Sequence, residues 1–278
     1  MKIGIIGLGL IGGSMAKSIK DKTDHTVFGY DKNDETMFLA KMTKGIDAPL
    51  TKESLVECDM LMIAVRPDYA VQWVQDHAGE IRKGAIVVDL CGVKRAVVSL
   101  IAPLSKQYGF RYIGGHPMAG KEVAGYTNAA SHLFDGASMI LTPDDATDLP
   151  LLETLRDFFY SLGFARLTFS TPEEHDRIIA YTSQLAHIAS SAYIQSPESQ
   201  EQMGFSAGSF RDMTRVARLD EDMWTVLMMD NADYLSQQVD ILVENLQKYQ
   251  KALHENDAEA LRALLKKGRE MKESAGGR

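Results

Sequence analysis

The feature that most constrains this chain is its opening, KIGIIGLGLIGG, residues 2–13. A short apolar run that ends in Gly7-x-Gly9-x-x-Gly12 and passes straight into an amphipathic stretch reads as strand, tight turn and helix. The glycines let the chain turn, let an anion approach the backbone and let the helix pack on the strand. The helix N-terminus then meets that anion with N–H groups and the positive end of its dipole. A dinucleotide pyrophosphate suits such a loop, with Gly7, Leu8, Gly9, Leu10, Ile11 and Gly12 around it. A second apolar run, TVFGYD, ends in Asp31, 19 residues past Gly12, where a carboxylate can accept from the adenine-ribose hydroxyls. That carboxylate repels a 2′-phosphate and favours NAD, while the adjacent Lys32 and Asn33 keep NADP open. The competing reading is a glycine-rich strand–helix turn with no ligand.

Further runs repeat the pattern: MLMIAV, AIVVDL, RYIGGH, SMILTP and ARLTFS, with helical stretches such as DYAVQWVQDHAGEI between them. Short apolar runs rich in β-branched residues and bounded by glycines suggest buried parallel strands joined by crossover helices. At Thr171 the texture changes. TPEE is a capping-box start with proline at the first helical position, and only helical patterns follow. The expected fold is α/β plus all-α: a Rossmann-type doubly wound sheet over residues 1–168, then a helical domain over 169–278. In that second part residues 221–256 read as one helix of about thirty residues, 257–273 as a last helix, and 274–278 as a frayed tail.

Charge and cysteines narrow the function. A formal net charge of −8 argues against a nucleic-acid binder and means that an anionic substrate needs local cations. Cys58 and Cys91 form no CxxC pair, which fits a reducing cytoplasm and speaks against a cysteine zinc site. No signal peptide and no membrane-length apolar run is seen.

Four further segments carry chemistry. VVDLCGVKRAV ends a strand at Asp89 and turns through Cys91 and Gly92, which places that turn against the nicotinamide. Cys91 itself reads as a small buried residue. IGGHPMAGKEVAG sets His116 among glycines at another strand end, where it is either a general base or a histidine that ties down a turn. In the helical part, Gln184, His187 and Ser191 share a polar stripe, and His187 also suits helix packing. Arg211 and Arg215 stand one turn apart and can bind carboxylates, or form a solvated charged face, with Asp212 pointing elsewhere.

Taken together, GLGLIGGS, GGHPMAG with Glu122 just beyond, TSQLAH and SFRDMTRVA…MW resemble the prephenate/arogenate dehydrogenase family of tyrosine biosynthesis along essentially the whole chain. The resemblance implies a cytoplasmic homodimer joined through the helical domain. It also implies oxidative decarboxylation of prephenate to 4-hydroxyphenylpyruvate and CO2 with NAD. By that likeness His116 takes the proton of the substrate's ring hydroxyl, His187 lies near the substrate side chain, and Arg215 pairs with a substrate carboxylate. Glu122 and Asp212 match acidic residues of a polar network around the pocket. Two positions depart from the family pattern. Gly92 stands where a serine commonly bonds the catalytic histidine, so a water, Cys91, Lys94 or the backbone would have to orient His116. Gln184 stands in place of a histidine, where specificity can change. No C-terminal ACT-type regulatory domain follows the helices. Competing readings are an arogenate or dual-specificity enzyme, a β-hydroxyacid or imine reductase, and an NAD-binding sensor without chemistry.

Overall fold

The first strand, β1 (Lys2–Ile6), leads through the glycine turn into α1 (Leu10–Lys22), and the next, β2 (Thr26–Tyr30), pairs parallel beside it. In this computed structural model, which describes residues 1–144 and 147–276, the chain continues as α2 (Asp34–Met42), β3 (Ala48–Pro49), α3 (Lys52–Leu55), β4 (Met60–Ile63), α4 (Pro67–His77), β5 (Ile86–Asp89), α5 (Arg95–Tyr108), β6 (Arg111–Pro117), β7 (Ser138–Thr142), α6 (Leu149–Ser161) and β8 (Arg166–Phe169). All seven strands expected from the sequence form. The two-residue β3 is too short to leave a periodic signal.

The eight strands make one sheet in the order β3-β2-β1-β4-β5-β6-β7-β8. Alternate side chains point to opposite faces and build two cores. Ile3, Ile5, Met60, Met62 and Val88 pack on the face covered by α1 and α6, with Met15, Leu155 and Phe159. Ile6, Leu61, Ile63 and Val87 pack on the face covered by α4 and α5, with Val74, Val97 and Ile101. Burial on both faces is why these strands read as continuous apolar runs rather than alternating ones.

One strand departs from the parallel expectation. β7 runs antiparallel to β6, pairing Gly114 with Thr142 and Pro117 with Met139, while β8 is parallel to β7. The connection between β6 and β7 leaves and re-enters the sheet at one end, so residues 118–137 start and finish at the carboxyl end of β6.

The chain then forms α7 (Pro172–Ile179), a π-helical turn over Ala180–Gln184, α8 (Leu185–Ile194), α9 (Gly208–Thr214), α10 (Glu221–Met229), α11 (Ala232–His254) and α12 (Ala258–Ser274). Thr171 caps α7 by accepting from Glu174 N, but the box is not closed: the Glu174 carboxylate receives the Ser170 hydroxyl instead. The single long helix expected over 221–256 is interrupted at Asp230 and Asn231. Asn231 is fully buried there and gives its amide to Asp176 O and Gln184 Oε1. Two compact units result, residues 1–231 and 232–278. The second consists of α11 and α12 with the turn between them, and leaves Ile241, Leu246, Leu253, Leu265 and Met271 exposed. Of the expected frayed tail, Gly277 and Arg278 lie outside the described residues. No helix among the described residues is long and apolar enough to cross a membrane.

Candidate active site

The glycine loop fits a dinucleotide. Gly7 has φ +85, and a Cβ on it would lie 2.6 Å from Ala64 O. A Cβ on Gly12 would lie 1.8 Å from Gly7 O, so helix and strand could not pack as they do. Gly9 is different: nothing stands within 4 Å of its would-be Cβ, and that open side is where a pyrophosphate can approach. α1 starts at Leu10 with no side-chain cap and no acidic residue in its first turn, which leaves its N-terminal field for an anion. Leu8 N is held by Asp31 Oδ2 at 2.8 Å, and Asn33 N by Asp31 Oδ1 at 2.9 Å. The carboxylate at the end of β2 is thereby fixed beside the loop, with lone pairs left for hydroxyl donors.

Past the end of β5, a buried ion pair anchors the next turn. Lys94 and Asp89 are both fully buried, and Lys94 Nζ bonds the Asp89 carboxylate and Gly115 O. Asp89 also accepts from Cys91 N and the Tyr112 hydroxyl. Burial and then Asp89 push the Cys91 thiol and the Tyr112 phenol well above their ordinary ranges, so both stay protonated. Cys91 is buried with Sγ toward Val65 O, and Gly92 lies close to both Leu227 and the histidine: a Cβ there would be 3.3 Å from Leu227 Cδ2 and 3.9 Å from His116 Nε2.

His116 sits on β6 two residues past Gly114, the last residue paired with β5, and is held on its other side by Ile140 of β7. Its partner is neither Cys91, Lys94 nor the backbone. His116 Nδ1 lies 2.9 Å from His175 Nε2, and His175 Nδ1 lies 2.7 Å from Asp176 Oδ1. Asp176 also accepts from Lys94 N, Arg95 N and Arg95 Nε. Burial works to raise the Asp176 pKa, but the bonds from His175, Arg95 and Lys94 win and hold the carboxyl below its ordinary value. An ionised carboxylate only accepts, so His175 donates from Nδ1 and accepts at Nε2. His116 therefore donates from Nδ1, and its Nε2 lone pair, with no partner among the described residues, lies on the Gly92 side. Burial, then His175 and Lys94, hold His116 well below the usual histidine range.

The helical segments add a second group. His187 Nδ1 donates to Val216 O at 2.9 Å, and its ring lies 3.9 Å from that of Trp224. Its pKa is lowered by burial first, with Arg215 acting in the same direction and the Val216 bond opposing. Arg215, exposed just past α9, pairs with Glu122 of the β6–β7 connection. Gln184 is buried and both ends of its amide are engaged, Nε2 to Leu227 O and Oε1 by Asn231. Leu227, one turn beyond Trp224 on α10, lies against Gly92, so α10 spans from the His187 group to the turn below His116. Arg211 and Asp212 stay exposed on α9, with no bond among the described residues to His116, His187 or Arg215.

Sequence reasoning missed His175, Asp176, Asn231 and Trp224 as parts of this site. The His-Asp dipeptide was visible one turn into a capped helix, but it reads there as ordinary helix-start polarity.

Comparisons with known proteins cover the whole of this arrangement. Residues 15–167 match the family described as prephenate dehydrogenase, nucleotide-binding domain, and residues 171–267 match the one described as prephenate dehydrogenase, dimerization domain. The prephenate dehydrogenase of Bacillus subtilis strain 168 is 29% identical over 267 residues, covering 92% of this chain and 71% of the relative. The cyclohexadienyl dehydrogenase of Zymomonas mobilis is 31% identical over 269 residues, covering 93% and 90%. The crystal structure of prephenate dehydrogenase from A. aeolicus in complex with hydroxyphenyl propionate and NAD+ shares the fold, with a TM-score of 0.86 at 24% identity over 99% of this chain and 98% of that one.

Proposed function

The chain belongs to the prephenate dehydrogenase family, and from that premise we propose that it is an NAD-dependent prephenate dehydrogenase, converting prephenate to 4-hydroxyphenylpyruvate and CO2. The observation that carries this reading is His116, set past the last β5–β6 pair with Nδ1 bonded to His175 and Nε2 without a partner among the described residues. A proton acceptor of that kind is what oxidation of a ring hydroxyl needs.

The Gly7–Gly12 loop would hold NAD+, with Asp31 at its ribose hydroxyls, and the cofactor would supply the hydride acceptor for C4 of the ring. His116 Nε2 accepts the hydroxyl proton as that carbon becomes a carbonyl. Loss of CO2 from C1 sends its electron pair into the ring, and His116 returns the proton to the phenolate oxygen. No net proton is released. Arg215 is the cation that a dianionic substrate needs on an acidic protein: an incoming carboxylate exchanges with Glu122 on its guanidinium. His187 and Trp224 line the side-chain end of the pocket, and Cys91 and Gly92 would border the nicotinamide. Gln184 acts by holding the corner at Asn231 and Leu227, while Arg211 and Asp212 form the charged approach on α9. The functional boundary lies between 168 and 169, in keeping with the two family matches. The second match also supports a homodimer through the helical part. A cytoplasmic setting agrees with the free, buried Cys58 and Cys91.

The test is turnover of prephenate and, beside it, arogenate, with NAD+, followed by NADH absorbance. Formation of 4-hydroxyphenylpyruvate with stoichiometric NADH is expected. No NADH from either substrate would remove the reading, and faster arogenate oxidation would move it to the amino analogue.

A further inference from the structure

The chain of contacts behind His116 does more than orient it. Asp176 Oδ1 takes His175 Nδ1 and Lys94 N, and Oδ2 takes Arg95 N and Arg95 Nε, so this carboxylate is saturated with donors and stays ionised. His175 is 2% exposed. Its two ring nitrogens are both committed, one to a fixed anion and one to His116. A proton added to His116 Nε2 makes a cation that burial and the neighbouring Lys94 both disfavour, and no carboxylate bonds that ring among the described residues. The same positive charge placed on His175 lies 2.7 Å from Asp176.

We propose that His175 is a positioning residue that takes the Nδ1 proton of His116 as His116 Nε2 takes the proton of the substrate hydroxyl. The inference rests on the reading of the site as a hydroxyl-oxidising one. In the step, the substrate O–H bond breaks and an N–H bond forms at His116 Nε2. The His116 Nδ1–H bond breaks and an N–H bond forms at His175 Nε2. The hydride goes to NAD+, and the oxygen's electron pair closes the carbonyl. The imidazolium thus resides on His175 beside Asp176, and both protons retrace their path when decarboxylation produces the phenolate. His116 ends each half-step neutral. Asp176 accepts no proton, as a carboxylate with four donors has no need to.

The arrangement also explains the glycine at position 92. A serine hydroxyl there would reach the free Nε2 side of His116, whereas here the ring is held from the other nitrogen and needs nothing at 92. The charged and titratable groups facing the pair are Asp176 beside His175, Lys94 and Arg95 from the start of α5, Asp89 from β5, and Asp230 after α10. None of them other than Asp176 bonds either imidazole among the described residues.

The experiment uses the full-length chain with prephenate and NAD+, and reads the first-turnover appearance of NADH in mixtures of H2O and D2O. The unmodified enzyme is expected to give a curved dependence on deuterium fraction, as two protons move together. His175→Gln keeps an oxygen to accept from His116 Nδ1 but cannot carry a proton. It should give a linear dependence and a first-turnover rate about 10- to 100-fold lower, with KM for prephenate and NAD+ within about threefold. Its acid limb should move to lower pH, because the protonated form loses Asp176 as counter-ion. A linear dependence in the unmodified enzyme overturns the proposal, whatever the variant does. So does a His175→Gln enzyme with unchanged rate, which would make His175 an orienting group alone. Absence of any turnover by the unmodified enzyme is a different failure and falls on the functional reading.

Discussion

At the scale of single residues, function here depends on which atom is left free. His116 has one nitrogen tied and one open, and Arg215 holds a carboxylate that another can replace. Removing each should therefore fail differently. His116→Ala should lower kcat by about two to four orders of magnitude with NAD+ affinity nearly unchanged, seen in steady-state rates and cofactor titration. Arg215→Ala should instead raise KM for prephenate steeply and leave NAD+ binding alone; loss of cofactor binding would place Arg215 at the dinucleotide. Asp31 is the third such atom set. Its carboxylate lies beside Leu8 N and repels a 2′-phosphate, so Asp31→Ser should narrow the preference for NAD+ over NADP+ in the kcat/KM ratio. Equal use of both cofactors by the unmodified enzyme would refute this. Gly7, Gly12 and Asp31 were legible in the sequence because their spacing is local. The His116–His175 contact was not, because it joins residues 59 apart through a fold that no local pattern encodes.

At the scale of elements, the site is made by interruptions. β6 outruns β5, β7 reverses, a π-turn stands between α7 and α8, and the helix after Glu221 stops at Asn231. Runs of apolar residues predicted all seven longer strands but carry no strand direction, so the reversal of β7 was invisible. The stop at Asn231 was hidden for another reason. Asn-Ala is no helix breaker, and the break rests on Asn231 giving its amide to Asp176 O and Gln184 Oε1, bonds that exist only after folding. The strongest tie among these elements is Lys94. Its ammonium binds Asp89 at the end of β5 and Gly115 O in β6, and so fixes the strand that carries His116. Lys94→Met keeps the volume but leaves Asp89 as an uncompensated buried charge. A loss of about 3–5 kcal/mol in urea unfolding is expected. A loss below about 1 kcal/mol would show that water reaches Asp89.

At the scale of the whole molecule, the buried imidazoles couple folding to pH. His116, His175 and His187 are all held below the ordinary histidine value, each by burial first. In the unfolded chain they titrate near about 6.5. Between that value and their folded values the unfolded chain binds more protons, so stability falls as pH falls. Above about pH 7 both states are neutral and this contribution is whole. Asp176, depressed in the fold, acts in the same direction but lower, its contribution going as pH drops below about 3.8. One fully buried histidine contributes at most about 1.4 kcal/mol per pH unit. The three should give less than three times that, because His187 is half-buried and the first proton on the His116–His175 pair has Asp176 beside it. Urea midpoints at one fixed protein concentration, without cofactor, should be level from pH 8 to 7 and fall from about 6.5 to 5. His187→Gln should make that fall shallower without changing the plateau's pH dependence. A midpoint that stays level down to pH 5 would mean these rings protonate freely in the folded protein. His116 would then be protonated below about pH 6.5 and could accept a proton only above it.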